Sequence, residues 1–272
     1  SSNTVFNIGF EKILNEKFKV FTKYAESFRT PNIDERIKST TSGSFALLDQ
    51  ETDEIELGLR YNDAKLNITG SIYSMDSKNE IQYDQSKNTN LDPINREGLN
   101  FDFDYEINNK TKLIGSYSYV NAEFTSGTLS PGSGGDAACD HANTTYCSNS
   151  NTWKNVMGGG SVFSLAGKNV PLISPNTFNL ILEQKINTSS TLIFDLNYVD
   201  EKYVSNDPEN VEPKIPDYYL ANIKLRHSKG PMSFLIGVNN LLDEEYYDFA
   251  VASTFHDDDH FGLRGVYPLA KR

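Results

Sequence analysis

Glu54–Ile72, EIELGLRYNDAKLNITGSI, sets an apolar residue at every second position on both sides of a short polar break. Ile55, Leu57, Leu59 and Tyr61 alternate with Glu54, Glu56, Gly58 and Arg60. Asn62-Asp63-Ala64 then turns the chain into Leu66, Ile68, Gly70 and Ile72. Period two is the mark of a strand with one apolar and one polar face, and Asn-Asp is turn chemistry. The stretch therefore predicts a β-hairpin. Upstream, Phe6, Ile8 and Phe10 alternate in the same way, and Asn15-Glu16 leads into Phe18–Phe28. Downstream, Leu99, Phe101, Phe103 and Tyr105 alternate with Asn100, Asp102 and Asp104, and Asn108-Asn109-Lys110 leads into Leu113–Phe124. Phe178–Leu182, Leu192–Tyr198, Tyr219–Leu225 and Phe234–Val238 repeat the pattern. The fold class is all-β with about ten strands, most near the ~9–11 residues that cross a bilayer at a tilt. Pro31–Ser39 has room for a turn or two of helix and nothing else shows a helical period.

The connections sort by length. Asn15–Lys17, Asn62–Ala64, Asn108–Thr111, Asn187–Ser189 and His227–Gly230 are short. Between them lie long segments, Arg29–Thr52, Lys78–Asn95, Thr125–Val170 and Ser205–Pro216. Short turns at one end and long loops at the other is the layout of an antiparallel transmembrane β-barrel, and Greek-key connections would not alternate this way. In a barrel the apolar residues meet lipid. Ile55, Leu57, Leu59, Leu99, Phe101 and Phe103 are then expected on the convex face, exposed, with Glu56, Arg60, Asp102 and Asp104 on the concave one.

Composition agrees with a wall that is greasy on one side only. Hydrophobic residues are 38%, yet aromatics reach 12%, with 15 Tyr and 16 Phe. The net charge of −12 argues against a nucleic-acid partner, which needs a basic surface to meet phosphates. No run of eighteen apolar residues marks a membrane helix, a test that barrel strands escape by alternating.

Several segments resemble the barrel domain of TonB-dependent outer-membrane receptors. YAESFRTPNIDE (Tyr24–Glu35) is similar to that family's aromatic-small-Phe-Arg-x-Pro strand end, and ETDEIELGLR (Glu51–Arg60) to the acidic strand start that follows. NREGLNFDFDY (Asn95–Tyr105) is similar to a strand of that family that opens on Asn and Gly. GVNNLLDEEYY (Gly237–Tyr247) is close to its Gly-x-x-Asn-Leu-x-Asp-x-x-Tyr, and GVYPLAKR (Gly265–Arg272) to the run before a final strand. The resemblance spans the chain, residues 1–272, as part of one barrel domain. It implies a barrel of 22 strands, of which these would be about strands twelve to twenty-one, without the plug, its TonB-contacting box or the last strand. It also implies uptake of a scarce nutrient of the iron–siderophore, haem or cobalamin class. The partners would be outer-membrane lipid, a small-molecule or metal-chelate ligand, and the TonB complex through a plug. Such a fragment would leave its two outermost strands, near Val5–Phe10 and Phe234–Val238, unpaired. A smaller porin or barrel enzyme is the alternative, and would join those strands.

Candidate chemistry is sparse. No Gly-x-Ser-x-Gly and no Ser/His/Asp spacing marks a nucleophile, so neither an enzyme nor a cofactor is expected. Tyr146, Trp153 and Phe163 in the longest loop are candidates for ligand contact, as loops on a rigid scaffold often carry binding. They serve equally well to pack that loop on itself. His256 and His260 flank three Asp residues; these ligand types suit a divalent ion, but the run reads better as a solvated loop touching ligand. Cys139 and Cys147 lie in a Gly/Ser/Asn-rich stretch and are expected to close a small loop as a disulfide in an oxidising compartment, with two free thiols as the other reading.

Overall fold

The computed structural model describes residues 4–37, 47–84, 87–129, 163–205, 207–253 and 265–268. In chain order these form β1 (Asn7–Ile13), β2 (Phe18–Arg29), a five-residue helix α1 (Ile33–Ile37), β3 (Gln50–Asn62) and β4 (Leu66–Lys78). A small hairpin of β5 (Ile81–Asp84) and β6 (Lys87–Asn90) precedes β7 (Ile94–Asn108) and β8 (Thr111–Phe124). Two short strands, β9 (Thr128–Leu129) and β10 (Phe163–Ser164), precede β11 (Asn176–Lys185), β12 (Ser190–Val199), β13 (Tyr218–Lys229) and β14 (Met232–Val238). A last pair, β15 (Ala250–Ser253) and β16 (Gly265–Pro268), completes the described chain.

Ten strands make one antiparallel sheet in the order β1-β2-β3-β4-β7-β8-β11-β12-β13-β14, and the three short pairs lie outside it. Every neighbour in the sheet is the next long strand in sequence, so hairpin ends alternate between its two ends. The sheet is open: β1 and β14 are its outer strands and do not pair with each other.

Register sorts the side chains cleanly. One cross-strand row reads Val20, Leu59, Gly70, Phe101, Tyr117, Phe178, Tyr198 and Tyr219. The adjacent row on the other face reads Phe21, Gly58, Ser71, Asn100, Ser118, Thr177, Val199 and Tyr218. A slip of one residue would exchange these rows, so the pattern itself specifies the pairing. The apolar face is the exposed one, with Ile55 at 57% and Leu57 at 50%. Glu56, Arg60, Asp102 and Asp104 fall on the opposite face. Phe103 shares the apolar face but is half-buried, because its ring covers Gly115 on the paired strand.

Four of the five short connections share one physical device. Asn15 Oδ1 accepts from the Lys17 and Phe18 amides, Asp63 Oδ1 from Lys65 and Leu66, Asn108 Oδ1 from Lys110 and Thr111, and Asn187 Oδ1 from Ser189 and Ser190. An Asn or Asp oxygen thus completes each turn in place of a backbone carbonyl. The fifth turn is tighter than the sequence implies. His227 and Ser228 stay in β13, and Gly230, at φ +58°, reverses the chain into Pro231. The run at Gly265 also differs: it is itself a strand, paired with β15.

Candidate functional site

Two features of this wall bear on function: the chemistry of its faces, and the way its long loops are braced.

Tyrosines ring the apolar face where it meets the polar ends. Tyr24 donates to Glu26 (3.0 Å), Tyr61 to Asp63 (2.9 Å) and Tyr198 to Asp200 (3.1 Å), in each case a carboxylate two residues further along. Tyr117 donates to Asn176, whose amide in turn reaches Asp200 at 2.6 Å. Residues two apart share a face, so each ring lies with the apolar side chains and its hydroxyl reaches the polar edge. That split is what a membrane–water interface asks of tyrosine. At the turn edge, bonds from the Lys65 amide, Tyr61 and Lys17 hold the Asp63 carboxyl down at about 2. Phe18 packs on Tyr61 with centroids 4.8 Å apart.

The other face is polar and paired. Glu11 meets both Lys19 (3.3 Å) and Arg60 (2.6 Å), Lys23 meets Glu54, and Lys112 meets Asp104. Arg60 also lies over the Phe21 ring at 4.3 Å. At the β11–β13 end, Asp195 gathers the amides of Asn179 (3.1 Å), Asn197 (2.9 Å) and Asn222 (3.3 Å). Mid-strand charges are tolerable here because each has a partner or a polar surround, whereas in a dry core each would cost several kcal/mol (roughly 2–7 even for neutral groups).

At the long-loop end, asparagines tie neighbouring loops together. Asn90 behaves as a second peptide unit for Leu48: its Oδ1 accepts from the Leu48 amide (2.8 Å) and its Nδ2 donates to the Leu48 carbonyl (3.2 Å). Asn88 donates to the Glu35 carbonyl at 3.1 Å. The α1 turn beneath is capped reciprocally, Asn32 Oδ1 with the Glu35 amide and Glu35 Oε2 with the Asn32 amide, both 2.8 Å. Burial works to raise the Glu35 carboxyl, but the Arg29 guanidinium and the Asn32 amide outweigh it and hold it below the usual range. Further along, Asn210 repeats the device on Asn169, accepting at 2.7 Å and donating at 2.9 Å. Fully buried Asp207 accepts from the Val211 and Glu212 amides and so shapes that loop.

Two small apolar clusters seat these loops on the sheet. Ile94, Ala122, Phe124, Leu165 and Val170 form one; Val204, Ile215 and Ala250, with Leu172 and Tyr247 against them, form the other. The Arg96–Glu80 pair, each side chain under a fifth exposed, stands beside the first. Replacing Asn90 by alanine should therefore speed amide exchange across residues 47–50 about thirtyfold, since two net hydrogen bonds of ~1 kcal/mol are lost. Unchanged exchange there would show that the strands, not Asn90, hold the loop.

The sequence candidates fare unevenly. Cys139, Tyr146, Cys147, Trp153, His256 and His260 lie outside the described residues. Phe163 opens β10, which pairs with β9 through Leu129. Among the described residues no three His, Cys, Asp or Glu side chains are grouped to hold a metal ion. Among the described residues, two hollows of about 270 and 240 Å³ fall below the ~300–1,000 Å³ of typical ligand pockets. Sequence reasoning passed over Asn88, Asn90, Asn169 and Asn210, because Asn is ordinary in loops and only the fold brings each to another loop's backbone.

Over residues 1–241 the sequence matches the family model described as TonB dependent receptor-like, beta-barrel. The chain belongs to the TonB-dependent receptor β-barrel family. Its fold is similar to the ferric-catecholate import receptor Fiu from E. coli K12, at 20% identity and TM-score 0.62, covering 90% of this chain and 31% of that one. It is similar also to the siderophore receptor PiuA from Acinetobacter baumannii (18%, TM-score 0.66, 91% and 33%) and to the copper transporter OprC (15%, TM-score 0.62, 89% and 34%). The chain thus spans about a third of the length of these structures. No curated protein matches it. The family is one of transport receptors of the bacterial outer membrane, not of enzymes.

Within this family's motifs two residues acquire physical roles. Gly98, of NREGLNFDFDY, sits where a Cβ would lie 2.5 Å from both the Tyr119 carbonyl oxygen and the Tyr73 hydroxyl. Asn240, of GVNNLLDEEYY, takes φ +51° at the end of β14 and bonds both ways to the Glu244 backbone at 2.9 Å. Its own amide donates to Asn222, which links the turn to the Asp195 network.

Proposed function

We propose that this chain is part of the wall of an outer-membrane receptor that imports a scarce, metal-bearing nutrient of the iron–siderophore, haem or cobalamin class, driven by the TonB complex through a plug. The observation that carries this reading is the two-faced ten-strand sheet: an exposed apolar face edged by tyrosines, a paired polar face, and long loops braced at one end only. An apolar face this broad would aggregate in water and is at rest against lipid. The polar face then lines the lumen, and the braced loops face the medium and hold the cargo. The wall performs no covalent step. A porin built from these ten strands would need β1 hydrogen-bonded to β14, and they are not paired.

The test is transport by the intact protein. Cells lacking it, grown under iron limitation, should lose uptake of at least one labelled ferric chelate from a panel of catecholates, hydroxamates and haem. Uptake should return with the gene and stay absent in a TonB-deficient strain. Uptake that survives loss of TonB would replace this reading with a passive channel.

A further inference from the structure

We propose that the short-turn rim of the wall is a binding surface for anionic phospholipid headgroups, carried by one unpaired lysine at each of its five turns. The inference deepens the function above and rests on its placement of the apolar face in lipid.

The turn end and the loop end of this sheet are oppositely charged, although the chain as a whole carries −12. At the turn end the other cations are ion-paired: Lys17 on Asp63, Lys112 on Asp104, Arg226 near Glu183, and both Lys19 and Arg60 on Glu11, which leaves one positive charge in excess there. Five exposed lysines make no ion pair among the described residues: Lys12 beside the first turn, Lys65 in the second, Lys110 in the third, Lys185 beside the fourth and Lys229 beside the fifth. Among the described residues only Glu16 and Glu106 oppose them at that end without an ion pair, and Glu106 stands opposite Lys112 in register. On the apolar face at the loop end, by contrast, one register row brings Glu26, Asp53 and Asp76 side by side and continues through Asn95 to Glu123.

The rim is also held as one piece. The Asn62 amide donates to the Lys17 carbonyl, Glu106 to Lys65, Lys185 to Lys110, and Ser228 to Ser189, so each turn is bonded to the next. The lysines therefore form a fixed array and not five independent tails. Its position matches a headgroup layer, because it begins where the apolar face ends, at Phe18, Tyr61 and Tyr105. Lys12 continues the face of Ile8 and Phe10, and Lys229 that of Leu225 and His227, whereas Lys185 closes the row of Glu183 on the polar face and joins the array only at the rim itself. A lysine there reaches phosphate while its stem stays along apolar surface. Polybasic sites gain roughly 1 kcal/mol per Lys near an anionic membrane surface, and that gain falls with salt. An acidic soluble protein would satisfy the charge but has no reason to meet a rim that borders lipid.

The experiment uses the intact protein reconstituted with mixed lipids. Native mass spectrometry after release from bilayers of phosphatidylcholine with phosphatidylglycerol should show the anionic lipid retained at least about tenfold over its bulk share, as a few rim lysines would give. The variant with Lys12, Lys65, Lys110, Lys185 and Lys229 all changed to Gln should lose that enrichment. Lys78→Gln, at the loop end, should keep it, and raised salt should weaken it in the native protein. Insertion into the bilayer with no enrichment, or enrichment unchanged in the fivefold variant, overturns the proposal while leaving the membrane reading intact. Failure to insert into a bilayer of phosphatidylcholine alone overturns the membrane reading, and the proposal with it.

Discussion

Leu57→Arg should destabilise the intact protein in a bilayer by roughly 2–4 kcal/mol, while Glu56→Gln, one residue away, should change it by less than about 0.5. Leu57 stands midway along β3 between Asp53 and Tyr61, half-exposed on the apolar face, with Thr22 and Ile72 beside it in register. In lipid a guanidinium at that depth has no water and no carboxylate within reach. Glu56 points to the polar face, where hydration or a partner is at hand. Urea titration of both variants folded into the same vesicles measures the difference. Equal effects at the two sites would mean that the apolar face is covered by protein, and the assignment of lumen and lipid sides would have to be reversed or abandoned.

Gly98→Ala should cost about 2–3 kcal/mol, near the upper end of what overpacking does in a well-packed site. Alanine ordinarily gains ~0.5–1 kcal/mol over glycine in regular structure, so the sign depends on the neighbours. At Gly98 the nearest atom to an added Cβ is a backbone carbonyl oxygen, that of Tyr119, which cannot move without parting β7 from β8. Adding Tyr73→Phe removes the hydroxyl but keeps the ring carbon Cε1, 2.6 Å from the added Cβ, and should recover only part of the loss. Gly70→Ala is the control, since its Cβ would meet Phe101 at an ordinary 3.7 Å. Equal tolerance of the two alanines would show that the β7–β8 spacing yields, and would remove this account of the glycine in the motif.

Much of the architecture was determined by sequence alone. Alternation in Glu54–Ile72 and its repeats settled strand identity and faces, because a strand's side chains have a period of two whatever surrounds it. Turn positions were legible for the same local reason: Asn15, Asn108 and Asn187 complete their turns with their own side chains. The class of protein was legible too, since short and long connections alternate and the family motifs fall in order. Where local chemistry ended, so did legibility. The turn placed at His227–Gly230 shifted because only pairing with β14 decides how far β13 runs, and Phe103 is half-covered because Gly115 lies opposite it. The Asn90–Leu48 and Asn210–Asn169 ties join residues about forty apart and leave no periodic trace. The rim lysines are five unremarkable residues in sequence. Only the ten-strand register lines them up at one end, where ion pairing with strand neighbours removes the other cations and leaves these five.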